Sequence, residues 1–123
     1  MKRVPQPTYA PPTAASEPWG IAAAADNSLW FTERAGNKIG RIALNGAITE
    51  FAIPTPGSRP GDILRGADGH LWLTEPGANQ LGRITLFSFL TEFPLPTGSA
   101  QPSGLAVGLE GDLWFAERNA NKI

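Results

Sequence analysis

Three features predict an all-β fold, a β-propeller of four-stranded antiparallel blades. The chain carries a 42-residue repeat without a gap, turn signals recur several times in each copy, and no helical periodicity is sustained. The segments Leu29-Trp30-Phe31-Thr32-Glu33, Leu71-Trp72-Leu73-Thr74-Glu75 and Leu113-Trp114-Phe115-Ala116-Glu117 are copies of one phrase. The same offset of 42 links Asn37, Asn79 and Asn121, and it links Pro18, Pro60 and Pro102. It also joins Gly40-Arg41-Ile42 to Gly82-Arg83-Ile84 and Thr49-Glu50-Phe51 to Thr91-Glu92-Phe93.

Each copy reads as four short strands. In the first, residues 20–24 are apolar and Asp26-Asn27 makes a turn, after which 28–33 is aromatic and β-branched. Ala35-Gly36-Asn37 forms a polar loop into a strand over 38–44. Asn45-Gly46, the dipeptide favoured in a two-residue hairpin turn, precedes a strand over 47–53. No helix longer than one turn is expected. Bulk on both faces of 29–32 suits a sheet packed between neighbours.

The repeat divides the chain into a Pro-rich segment at 1–7, an outer strand of a preceding blade within 8–17, whole blades at 18–59 and 60–101, and a partial blade at 102–123. The outer strand follows from Tyr9-Ala10-Pro11-Pro12-Thr13, which stands 42 residues before Phe51-Ala52-Ile53-Pro54-Thr55. About two and three-quarter blades are therefore present, where closed propellers use about four to eight. Unpaired strand edges at both ends predict self-association. One copy departs from the pattern, with Phe87-Ser88-Phe89 where the other has Asn45-Gly46-Ala47. The reading preferred is a looser turn folded onto the adjacent surface, and the competing one an exposed apolar contact patch.

Composition excludes several classes. The 123 residues are 41% hydrophobic and 17% charged, as in a globular chain. A net charge of −1 without charged runs argues against nucleic acid or an anionic membrane as partner. The absence of cysteine excludes disulfides and thiolate metal sites. No apolar run approaches about 20 residues, and no apolar stretch follows Lys2 and Arg3, so a soluble and cytoplasmic protein is expected.

The phrases Trp-Phe-Thr-Glu, Asn-Lys-Ile-Gly-Arg-Ile and Ile-Thr-Glu-Phe-Ala-Ile-Pro-Thr-Pro, all within the first unit, resemble the streptogramin (virginiamycin B) lyase family of seven-bladed propellers. The resemblance implies a carbon–oxygen lyase that opens a cyclic depsipeptide antibiotic by elimination at an ester with Mg²⁺ bound. It places the site where strand-connecting loops converge, at a Glu-Pro-His-Gly motif with a second metal-linked glutamate. Here Glu17-Pro18-Trp19-Gly20 matches three of the four motif positions, and Glu33 stands 16 residues after Glu17. Glu17 and Glu33 are thus the implied Mg²⁺ ligands. The catalytic histidine position is held by Trp19, and by Gly61 and Ser103 in the later copies. None of these exchanges a proton as imidazole does.

The remaining residues take plainer readings. Glu33, Glu75 and Glu117 recur in every unit, which favours a role in the shared fold, such as anchoring a loop. Asn37, Asn79 and Asn121 suit left-handed turn positions. Trp30, Trp72 and Trp114 read as blade core. His70, the sole histidine, follows Asp68-Gly69 at a hairpin and reads as a solvated turn residue. Trp19 is open to packing or to ligand contact. Two functions follow: a lyase of the family's kind, or a non-catalytic module that binds a small molecule such as a sugar, a peptide or a partner protein on its loop face.

Overall fold

The computed structural model describes residues 9–123. The first sheet contains β1 (Pro18–Ala23), β2 (Leu29–Glu33), β3 (Lys38–Ile42) and β4 (Ile48–Ala52). The second contains β5 (Ile63–Arg65), β6 (Leu71–Glu75), β7 (Gln80–Ile84) and β8 (Leu90–Pro94). The third pairs β9 (Pro102–Val107) with β10 (Leu113–Glu117). Every pairing is antiparallel and joins strands consecutive in the chain. These are up-and-down propeller blades, two complete and one half-built. Helix is confined to single 3₁₀ turns at Pro76–Ala78 and Arg118–Ala120.

Register follows from bulk. Phe31 lies opposite Gly40, where an added Cβ would stand 2.1 Å from the phenyl ring. Only glycine leaves room for that ring. On the other face Trp30 stacks on Phe51 at 5.6 Å, and Trp72 repeats the contact on Phe93 at 5.5 Å. Trp30, Ile39, Ile53, Ile63, Leu71, Leu73 and Ile84 form one buried core in which the first two blades meet. Side chains of this size stabilise by about 1.5–3 kcal/mol each when fully buried.

The three equivalent tryptophans show what a neighbouring blade supplies. Trp30 faces a complete blade and is 0% exposed. Trp72 faces the half-built one and is half-buried. Among the described residues Trp114 has neither a stacking partner in its own sheet nor a further blade beside it, and it is 53% exposed. Its expected place in a blade core is thus not realised in this chain.

Five hairpins share one turn. The third loop residue has positive φ in each case: Asn27 (67°), Gly46 (86°), Gly69 (82°), Ser88 (71°) and Gly111 (85°). The paired backbone bonds recur as well, as in Gly46 N to Ala43 O and Ala43 N to Ala47 O, both 2.9 Å. The loop at Asn45-Gly46 therefore has three residues closed by a left-handed glycine, not the expected two, because Leu44 joins the turn. Phe87-Ser88-Phe89 keeps the same turn. Phe87 and Phe89 are 85% and 72% exposed, so the looser turn folded onto the surface is not found. Backbone hydrogen bonds fix the turn whatever residue occupies its left-handed position.

Residues 9–17 form bends and a turn, without the expected outer strand. A fourth strand needs a third to pair with, and none is present for it among the described residues. The segment is held instead through Thr13, whose N–H and hydroxyl donate to Glu50 at 3.2 and 2.8 Å. The Pro-rich segment at 1–7 lies outside the described residues. No helix among the described residues is long and apolar enough to cross a membrane.

Candidate functional site

The inner strands β1, β5 and β9 lie side by side, and their N-terminal approaches meet at one end of the blades. Each approach is backbone-strained. The residue before the conserved-register proline has positive φ in all three copies: Glu17 (55°), Arg59 (52°) and Gln101 (50°). Such conformations cost a side-chain-bearing residue on the order of 1–3 kcal/mol and persist where surrounding bonds impose them. Here Arg34 N donates to Glu17 O at 3.0 Å, and Gly77 N to Ser58 O at 2.9 Å.

Residues 19, 61 and 103, each directly after its proline, line a common cleft of about 430 Å³. Trp19, Gly61 and Ser103 line it together with Arg34, Arg59, Asp62, Gln101 and Arg118. The structure thus brings the three histidine-position residues to one place. Trp19 is 60% exposed, with the Arg34 guanidinium 4.5 Å from its ring centroid. His70 is elsewhere, on the β5–β6 turn at the opposite end of β6 from Thr74 and Pro76, which border the cleft.

Glu17 and Glu33 part company. Glu17 is exposed, whereas Glu33 is 0% exposed. Burial pushes Glu33 up to about 7, and the adjoining Glu50 carboxyl pushes the same way. Neither Glu33 oxygen has a donor within normal hydrogen-bond geometry. A proton shared with Glu50 resolves this, since one carboxyl can then donate to the other. Burial opposes ionisation of Glu50 too, but hydrogen bonds from Glu33 and Thr13 outweigh it and hold Glu50 below the ordinary range. Lys38 closes the cluster, 3.6 Å from Glu50 and donating to Thr13 at 2.8 Å.

The second blade repeats this arrangement without the cation. Burial raises Glu75 to about 7, with Glu92 beside it. Gln80 donates to Glu75 at 2.8 Å and also to Glu92, while Thr55 donates to Glu92 at 2.9 Å. In both complete blades the repeated glutamate, Glu33 or Glu75, thus faces the strand-four glutamate, Glu50 or Glu92. A fully buried carboxyl that keeps its proton to near neutrality, paired with an exposed Glu17, does not fit Mg²⁺, which retains several waters. Among the described residues no group of three or more His, Cys, Asp or Glu side chains could hold a metal.

Sequence reasoning did not single out Arg34, Arg59 and Arg118. The signal was there in the register. Positions 18/60/102, 33/75/117 and 37/79/121 are invariant, whereas 17/59/101 read Glu/Arg/Gln and 34/76/118 read Arg/Pro/Arg. The positions that carry the three arginines do not repeat.

A family model described as the virginiamycin B lyase family matches residues 5–123. The chain belongs to the virginiamycin B lyase family. A solved streptogramin B lyase structure is 42% identical over 89% of this chain and 37% of its own, with a TM-score of 0.86. Virginiamycin B lyase from Staphylococcus aureus is 48% identical over 92% of this chain and 39% of its own, with a TM-score of 0.88. A catalytically inactive histidine-to-alanine variant of the S. aureus enzyme, solved with quinupristin, matches equally, at 48% identity and a TM-score of 0.88. This chain spans less than two-fifths of the length of these relatives.

Proposed function

We propose that this chain forms part of the ligand-holding face of a propeller that acts on streptogramin B antibiotics, and that residues 9–123 hold the ligand without supplying the proton-transfer group. The observation that carries this reading is the shared cleft. Trp19, Gly61 and Ser103 all reach it from the histidine position, and none is a general base at neutral pH. What remains suits binding: an exposed indole beside guanidinium groups in a concave, mixed apolar and polar surface. Family membership supports the antibiotic as ligand. No step is assigned to Mg²⁺, because the implied pair Glu17 and Glu33 does not form a site for it.

The test uses the purified chain with quinupristin and Mg²⁺. Tryptophan fluorescence reads binding, and mass spectrometry reads ring opening. Saturable binding that weakens on Trp19→Ala, with no opened product, is the expected result. Opening above background overturns the assignment, and so does an absence of binding.

A further inference from the structure

We infer that the cleft recognises an oxyanion, a carboxylate or phosphate borne on an apolar or aromatic body. This deepens the ligand-holding reading and rests on it for the cleft being a binding surface.

Three guanidinium groups, from Arg34, Arg59 and Arg118, line one cleft of about 430 Å³. Elsewhere the described ion pairs engage Lys38, Arg41 and Arg83, each with a carboxylate of its own blade. None of the cleft arginines is in an ion pair among the described residues. The single carboxylate in the lining, Asp62, already accepts the Gly104 N–H at 2.7 Å. The balance is three cations against one anion in a concavity, where low-dielectric walls strengthen the field on a bound ligand.

The register gives a second, independent reason. Arg41 and Arg83 occupy equivalent positions and make equivalent contacts: each lies over its blade's tryptophan and pairs with an aspartate. Those arginines serve the blade. Arg59 replaces Glu17 and Gln101, and Arg34 and Arg118 flank Pro76. Charge has been placed at the cleft without help from the repeat, so the fold does not account for it. Guanidinium donors form a planar fork matched to carboxylate or phosphate. Trp19, held by Arg34 at 4.5 Å, offers an adjoining flat apolar surface.

Binding of benzoate, phenyl phosphate and benzyl alcohol to the whole chain tests this by titration calorimetry. At least one anion should bind more tightly than the neutral alcohol, and should weaken as salt is raised. Benzoate against phenyl phosphate decides which oxyanion is preferred. Arg118→Gln and Arg59→Gln, both at exposed positions, should each weaken anion binding about tenfold or more, the fold-change a charge-assisted hydrogen bond supports. Arg65→Gln, exposed on β5 outside the cleft, should leave it unchanged. Equal affinity for alcohol and anions, no binding of either anion, or indifference to both cleft substitutions overturns the inference. Quinupristin binding without anion preference sinks this inference alone, and anion binding without quinupristin binding sinks the antibiotic assignment alone.

Discussion

The Thr32 hydroxyl donates to the carbonyl of Gly61 at 2.7 Å, so a side chain of one blade satisfies the backbone of the next. The same oxygen accepts the Gly20 N–H at 2.9 Å, drawing on its own inner strand. Thr74 repeats half of this, accepting the Asp62 N–H at 2.9 Å. Thr32→Val keeps the shape but strands a donor and an acceptor at a buried junction. It should destabilise by about 1–3 kcal/mol in chemical denaturation, and Thr74→Val by less. Equal small losses would show that the hydroxyls do not join the blades.

Stability should fall as pH rises through the window set by Glu33 and Glu75. Both are raised from 4.5 to about 7 in the folded chain. Below the lower value both folded and unfolded states are protonated there. Between the two values the folded state keeps protons that the unfolded chain releases, so the slope is negative. Above the upper value it levels off. Glu50 acts the opposite way, but its contribution is lost only as pH falls below its unfolded value. Denaturation midpoints at about pH 5 and about pH 8 read the difference. Glu75→Gln, permanently neutral, should flatten the profile more than Glu33→Gln, because Lys38 offsets charge only in the first pair. A profile unchanged in both variants would refute the shared proton.

Ser88 holds a left-handed turn position that Gly46, Gly69 and Gly111 fill elsewhere. A side chain there costs about 1–2 kcal/mol, partly offset by the greater freedom glycine gains on unfolding. Ser88→Gly should therefore raise stability by about 0.5–1 kcal/mol. Gly46→Ala should lower it by at least as much, since its new Cβ would also stand 3.2 Å from the Tyr9 ring. Thermal melts of the two variants should shift in opposite directions.

The repeat made the blades legible because packing constraints recur in register: Trp30 on Phe51 returns as Trp72 on Phe93, and Asn37 as Asn79. Both asparagines sit at φ 56°. Their side chains accept from the segment that leads into the following blade, from Ser58 N at 2.9 Å and Ala100 N at 2.7 Å. The site was less legible for the same reason. The family motif paired Glu33 with Glu17, but side chains alternate across a strand, and Glu33 shares the face of Phe31, opposite Lys38 on β3. Nor does sequence show that positions 34, 59 and 118 converge, since they lie far apart in the chain and meet only where the blades stack.

The two flanks of the chain should find each other in solution. Within the chain, the Trp30 face of the first blade packs on the face of the second that carries Leu71 and Leu73. The same two kinds of face are uncovered at the ends. Trp114 is 53% exposed on one flank, while Ile21 and Leu29 are 51% and 39% exposed on the other. Because the faces differ, contact between copies is head-to-tail and does not stop at two unless the rotation closes. Sedimentation velocity on the 123-residue chain should show species larger than a monomer that grow with concentration. Trp114→Glu places a charge in that face and should weaken association about tenfold or more, by the cost of burying an unpaired charge. Leu44→Glu, at a hairpin tip that is already 81% exposed, should not. A monomer at all concentrations, or equal effects of the two substitutions, would show that the flanks are not an interface.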